Sequence, residues 1–196
     1  MVYNPCVSKP TRCRVHPTVI VIDDFLLDPD SVRAFALKQT FDVKGNYPGR
    51  RTAPFKTPEI KAAFERILGA EITFWPEQYN GSFQVTTEDM RSWIHRDETD
   101  YGGVLYLTPD PDPDSGTTFF RHKKLRVELQ TEENKKELGD DSNRESAWDK
   151  IDQVGNKYNR LTLFMGRRSH RSTSYFGHNR KTGRLFQTFF FNIRKD

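Results

Sequence analysis

Apolar positions in this chain fall in short runs, and their period changes once along it. Thr18-Val-Ile-Val-Ile22 is continuous and β-branched, the pattern of a buried strand. Asp28-Pro29-Asp30-Ser31 then opens a helix, with Asp or Ser as the cap and Pro near the first turn. Val32, Phe35, Ala36 and Gln39 continue it at three-to-four spacing. Residues 42–57, with Gly45, Pro48, Gly49 and Pro54, predict a loop. Thr57-Pro58-Glu59 starts a second helix whose apolar face is Ile60, Ala63, Phe64, Ile67 and Leu68, and Gly69 ends it. From residue 71 the pattern becomes that of short strands, at 71–75, 81–87, 91–94, 103–107, 117–121, 159–165 and 184–193.

Between two of these strands Asp110, Asp112 and Asp114 alternate with prolines and predict a rigid turn, because an EF-hand's Gly and terminal Glu are not at the required places. Residues 122–157 are strongly charged. They predict an inserted surface excursion with short helices around 132–138 and 145–154, pinned by Leu125, Val127, Trp148 and Ile151. Two helices followed by many short strands predict an α+β chain, one domain over residues 1–196, with a β-sandwich or jelly-roll core.

Composition narrows the class. Apolar residues are 35% of the chain but aromatics are 13%, and fifteen Phe can fill a core in few positions. The net charge of +4 is mild. It implies a soluble surface and leaves a nucleic-acid or other anionic partner open. Cys6 and Cys13 match no zinc spacing and imply a reducing, cytoplasmic setting rather than a disulfide scaffold. No run approaches the roughly 18–20 apolar residues of a membrane helix, and no secretory signal is visible. G-x-S-x-G, P-loop, G-x-G-x-x-G and H-E-x-x-H motifs are all missing.

The candidate chemistry lies in the five histidines, His16, His95, His122, His170 and His178. In an extended segment His95 and Asp97 of His95-Arg96-Asp97 point the same way. An imidazole and a carboxylate can then grip one metal ion. A third ligand from a distant strand completes a 2-His-1-carboxylate facial triad, whose open positions suit non-haem Fe(II) oxygen chemistry. His170 follows the 159–165 strand and a Gly turn, and is favoured for that position over His178, which sits by a polar turn. His122, in Arg-His-Lys-Lys, reads as a surface residue before one facing the site.

Several motifs together resemble the 2-oxoglutarate/Fe(II) dioxygenase superfamily, especially its prolyl-hydroxylase-like branch. They are His95-Arg96-Asp97, the distal His170 and the downstream Arg184. Val19–Asp30 is similar to the opening strand and helix of such enzymes, Gly116-Thr-Thr-Phe-Phe120 to their G-T-x-F strand, and Tyr47-Pro-Gly-Arg-Arg51 to a loop of small bacterial and phage members. The resemblance spans about residues 18–193. It implies a double-stranded β-helix, Fe(II) held by His95, Asp97 and His170, and 2-oxoglutarate as cosubstrate with O2. It also implies hydroxylation of a substrate, with no catalytic residue beyond the metal ligands.

In that scheme Arg184 anchors the 5-carboxylate of 2-oxoglutarate, since a guanidinium pairs bidentately with a planar carboxylate. Thr188, four residues on, and Tyr106 would add hydroxyls. The interval from His170 to Arg184 is longer than in the family, so Arg180 and Lys181 compete. Tyr47, Arg50, Arg51 and Trp93 are candidates for contact with a small-molecule or peptide substrate, and Arg168 and Arg171 flank the distal ligand. Two rival readings are a cupin-like metal-binding barrel, which has no use for Arg184, and a nucleic-acid-binding accessory protein indifferent to iron.

Overall fold

The computed structural model describes residues 17–195. His16, Cys6, Cys13 and the expected irregular lead-in lie outside them. Ten strands and three helices follow in the order β1 (Val19–Ile22), α1 (Pro29–Lys38), β2 (Arg50–Pro54), α2 (Pro58–Leu68), β3 (Ile72–Phe74), β4 (Ser82–Thr86), β5 (Tyr101–Tyr106), β6 (Thr117–His122), α3 (Lys135–Asp140), β7 (Trp148–Val154), β8 (Leu161–Met165), β9 (His170–Ser172) and β10 (Arg184–Ile193). The helix boundaries follow from their caps. Asp28 accepts a hydrogen bond from Ser31 N, Thr57 accepts one from Ile60 N, and Gly69 closes α2 in the left-handed region at φ 62°.

The strands form two antiparallel sheets. The larger runs β1-β8-β5-β10-β4-β2, with β3 beside the far end of β10; the smaller runs β7-β6-β9. From β5 onward the chain crosses repeatedly between the sheets, which gives a jelly-roll-like core. Strand β10 lies between β5 and β4 and is covered on both faces, so it reads as an almost unbroken aromatic and aliphatic run. Its odd positions, Leu185, Phe189, Phe191 and Ile193, join Phe64 of α2 in the main hydrophobic core. The Phe64 ring meets Phe189 edge-on at 5.0 Å between centroids and Phe191 at 5.5 Å. Full burial of such a ring contributes about 2–3 kcal/mol. The even positions, Arg184, Phe186, Thr188 and Phe190, face the space between the sheets.

Three expected elements differ. The loop expected over 42–57 contains β2, paired with β4. Its Pro54 is tolerated because β2 is an edge strand. The expected 145–154 helix is instead one 3-10 turn followed by β7, which pairs along the whole of β6. Residue 151 is the extra residue of a bulge, since Phe119 pairs Asp152 while Phe120 pairs Lys150. The bulge sets Trp148, Ile151 and Val154 three apart, imitating a helical stripe. The strand expected over 91–94 does not form; residues 94–97 are held by backbone bonds of Ile94 to Ser142, His95 to His170 and Asp97 to Gly166.

His122 is neither on the surface nor at the site. It is buried; its Nδ1 accepts from Leu125 N at 3.2 Å, so Nε2–H donates to Asp141 at 2.8 Å. With Trp148, whose ring centroid is 4.9 Å away and whose Nε1–H donates to Asp141 O, it anchors the charged segment. Among the described residues no helix is long and apolar enough to cross a membrane.

Candidate metal centre

Two backbone connections bring the candidate ligands together. His95 and His170 form an isolated antiparallel bridge, each N–H donating to the other's carbonyl at 2.9 Å. Asp97 N–H donates to Gly166 O at 2.7 Å, in the turn between β8 and β9. One ligand atom each from His95, Asp97 and His170 then lies within 4.8 Å of the others. Among the described residues this is the one cluster of three or more His, Cys, Asp or Glu groups arranged to hold a metal ion. His178 is elsewhere, exposed and 2.9 Å from Glu88.

Both imidazoles are oriented by the carbonyl two residues before them. Nδ1–H of His95 donates to Trp93 O at 3.0 Å, and Nδ1–H of His170 donates to Arg168 O at 2.7 Å. Each ring therefore presents an Nε2 lone pair. The rings stand 4.5 Å apart, and His170 Nε2 is 3.7 Å from Asp97 Oδ2. Arg168 supports the turn from behind, paired with Glu128 and Asp152 and stacked on Phe119.

Burial and charge fit a cation. Burial pushes the Asp97 carboxyl up to about 6, against the pull of His95 and Arg51. Burial, followed by repulsion from His95, pushes the His170 imidazole well below its usual value. His170 is therefore a neutral ligand near neutral pH, and protons compete with metal at Asp97. Metal uptake is expected to strengthen from about pH 5 to about pH 7 and level off above it. Mn(II) titration at fixed ionic strength checks this, and a flat profile across that range would contradict it.

Close packing keeps the carboxylate in place. A Cβ on Gly102 of β5 would lie 2.5 Å from Asp97 Oδ2 and 2.9 Å from the Phe164 ring. Gly102→Ala is expected to weaken metal binding about 10–100-fold, the range seen for outer-shell disruption, with the fold retained by circular dichroism. Unchanged affinity would show that Asp97 has room to move.

The sequence matches, over residues 5–191, a family of unknown function, DUF6445. The chain belongs to DUF6445. No curated protein sequence matches it. By structure, the DUF6445 chain is similar to HygX from Streptomyces hygroscopicus with nickel, 2-oxoglutarate and hygromycin B bound, at TM-score 0.57 and 12% identity, covering 90% of this chain and 83% of that one. It is also similar to a prolyl hydroxylase from Trichoplax adhaerens in complex with a hypoxia inducible factor peptide fragment, at TM-score 0.52 and 13% identity, covering 89% and 83%. A third is the α-ketoglutarate-dependent carbocyclase SnoK of nogalamycin biosynthesis, at TM-score 0.53 and 16% identity, covering 92% and 81%. The fold is that of the 2-oxoglutarate/Fe(II) dioxygenases.

The remaining candidate residues of the DUF6445 chain divide into three groups. Arg184 is buried beside the cavity at the triad: Nε donates to Ser115 O at 2.6 Å and Nη2 to Gly116 O at 3.3 Å, while buried Nη1 has no partner among the described residues. Tyr106, Tyr175 and Phe186 surround its guanidinium, and burial lowers its pKa. Tyr106 exchanges a hydrogen bond with Thr117 at 2.8 Å, and Thr188 borders the cavity with its hydroxyl near Tyr79 O and Ser82 O. Tyr47 and Arg51 also border the cavity.

Arg50, next along β2, faces solvent. Trp93 serves His95 through its carbonyl, and its side chain does not line the cavity. Arg180 donates to Leu37 O and Gln39 O and stacks on Phe41; Lys181 is exposed. Sequence reasoning missed Gln84, whose Oε1 accepts from Arg51 Nε at 2.8 Å. Its signal was the alternation of Ser82, Gln84 and Thr86, three polar residues on the inner face of a buried strand.

Proposed function

We propose that this protein is an Fe(II)/2-oxoglutarate-dependent oxygenase on a double-stranded β-helix, hydroxylating a small-molecule or peptide substrate. The observation that carries the reading is the trio of His95, Asp97 and His170, with both imidazoles held so that Nε2 faces the carboxylate. Two neutral imidazoles and one carboxylate are the donor set of Fe(II) oxygenases and leave positions for other ligands.

The cosubstrate also finds matching groups. Arg184 Nη1 is a buried donor without a partner among the described residues, and it is free to bind a ligand. It would take the 5-carboxylate, with Tyr106 beside the guanidinium and Thr188 lining the cavity further along β10. That use for Arg184 favours this reading over an inert cupin-like barrel. When bound, iron and 2-oxoglutarate supply O2 activation coupled to decarboxylation to succinate and CO2. The chain's part is to orient the ligands and keep the pocket dry: Phe164, Phe186 and Phe190 line it. Similarity to chains crystallised with hygromycin B and with a peptide supports a small-molecule or peptide substrate.

The test is an anaerobic titration of the metal-free chain with Fe(II) and 2-oxoglutarate. A weak visible charge-transfer band should grow to one equivalent, and air should then release succinate. A wild-type chain that gives neither overturns the reading.

A further inference from the structure

Arg51 is a buried cation bordering the cavity, and the cosubstrate scheme does not use it. Its side chain leaves the inner face of β2, in the row where Arg51 pairs Gln84, Gln84 pairs Phe186 and Phe186 pairs Tyr106. Strand β4 therefore separates it from β10 and Arg184, so the two strands bearing the arginines are roughly 10 Å apart. The guanidinium is boxed by rings: Tyr47 at 3.8 Å, Tyr79 at 5.4 Å and Phe190 at 5.5 Å from its central carbon. Only 7% of Arg51 is exposed. Nε is used by Gln84, and among the described residues neither Nη donates a hydrogen bond and no carboxylate lies within ion-pair distance. The Gln84 amide is itself fixed, donating to Pro48 O at 2.5 Å.

A cation nine-tenths buried, held at Nε, caged by aromatic faces and unpartnered at both Nη atoms among the described residues is built to receive an anion. Tyr47 and Arg51 border the same cavity of about 90 Å³ as the metal trio. Charge balance says which kind. With a divalent metal on the trio, Asp97 removes one positive charge and a 2-oxoglutarate dianion two more. Arg171, which also borders the cavity, is paired with Glu145 at 2.6 Å, so against the metal, Arg184 and Arg51 together one positive charge remains. A monoanion completes the balance, and a guanidinium fork fits a planar carboxylate.

We propose that Arg51, positioned by Gln84 and Tyr47, binds a carboxylate of the substrate, so that this protein oxidises carboxylate-bearing small molecules or the carboxylate end of larger ones. The proposal rests on the oxygenase reading for the word substrate. The anion site itself does not. The rest of the substrate has room outside, because an open polar groove of about 420 Å³ shares Ser92, Arg171, Ser172 and Tyr175 with the metal cavity. That groove carries Glu88, Asp89 and Glu145 beside Arg91 and Arg171, which suits a polar body.

The test compares N-acetylglycine with N-acetylglycinamide and inorganic phosphate by calorimetry on the full chain, metal-free and loaded with Mn(II) and 2-oxoglutarate. N-acetylglycine is expected to bind at least about tenfold more tightly than the amide. Arg51→Gln should remove that preference, Arg51→Lys should keep part of it, and 2-oxoglutarate affinity should stay within about twofold in both. The wild-type comparison needs no variant to fold, and melting temperatures show which variants do. Equal binding of the carboxylate and the amide, a preference that survives Arg51→Gln, or preferred binding of phosphate would each overturn the proposal. So would a loss of 2-oxoglutarate affinity in Arg51→Gln, which would assign Arg51 to the cosubstrate. If wild-type chain fails to bind 2-oxoglutarate, the oxygenase reading falls, while the metal-free titration still decides whether Arg51 holds a carboxylate.

Discussion

Asp97→Asn is expected to abolish tight metal binding and yet make the metal-free chain more stable at neutral pH. The two effects share one cause. Asp97 is held among Phe164, Gly102 and His170, where burial raises its pKa from 3.8 to about 6. Unfolded, it ionises near 3.8, so between that pH and about 6 the folded chain binds a proton that the unfolded chain has lost. The folded state is favoured at low pH, and this contribution disappears as pH rises through about 6. A shift of that size corresponds to roughly 2–3 kcal/mol. Asn carries no charge at any pH. Urea unfolding in chelator should therefore show Asp97→Asn more stable than wild type at about pH 7.5, with little difference near pH 4. A gain of equal size at both would mean that packing, not charge, sets it. On the metal side His95→Ala and Asp97→Ala should eliminate the charge-transfer band and lower metal affinity by about 100-fold or more, beyond the effect of losing an outer partner. His178→Ala should leave both unchanged.

Arg184→Ala should lose 2-oxoglutarate while keeping metal. A charge-assisted pair to a carboxylate is worth about 1.5–3 kcal/mol, so the cosubstrate affinity should fall roughly 10–100-fold. Mn(II) binding should stay within about threefold, because Arg184 touches none of the three ligands. The substitution also strips Ser115 O of its donor, while Gly116 O keeps the Thr173 N–H, and leaves a void beside Phe186. A stability loss of about 2–4 kcal/mol is expected alongside. Arg184→Lys separates the two effects, since it refills space and charge but cannot reproduce the planar fork. Equal cosubstrate affinity in wild type and both variants would pass the 5-carboxylate to another cation.

How much of this was legible in the sequence depended on whether side-chain period and burial agreed. Strand β10 was read with its true ends because both of its faces are covered and every position is constrained. The helices were read from Asp28, Thr57 and Gly69, whose capping chemistry is local. Strand β7 was lost because its bulge displaces Ile151 and destroys the two-residue alternation. Strand β2 was hidden by Gly49 and Pro54, which an edge strand tolerates. His95 and Asp97 were legible from a two-residue spacing although no regular strand carries them. His170 was favoured over His178 from its place after a strand and a Gly turn; the bridge to His95 is what sets it beside the other two. The contrast between Arg50 and Arg51 was not legible at all, because only pairing with β4 decides which of two adjacent arginines turns inward.

The place of β10 in the larger sheet also bears on how the molecule is made. It is the last strand in the chain order, yet it lies between β4 and β5, separated from them by about eighty residues or more of intervening chain. Until it arrives those two strands have no neighbour joining them, and Arg184 is missing from the pocket. A nascent chain emerging from the ribosome would thus carry both halves of the metal trio before it could close the sheet that supports them. Such late, long-range closure makes folding slow and leaves unpaired strand edges exposed meanwhile.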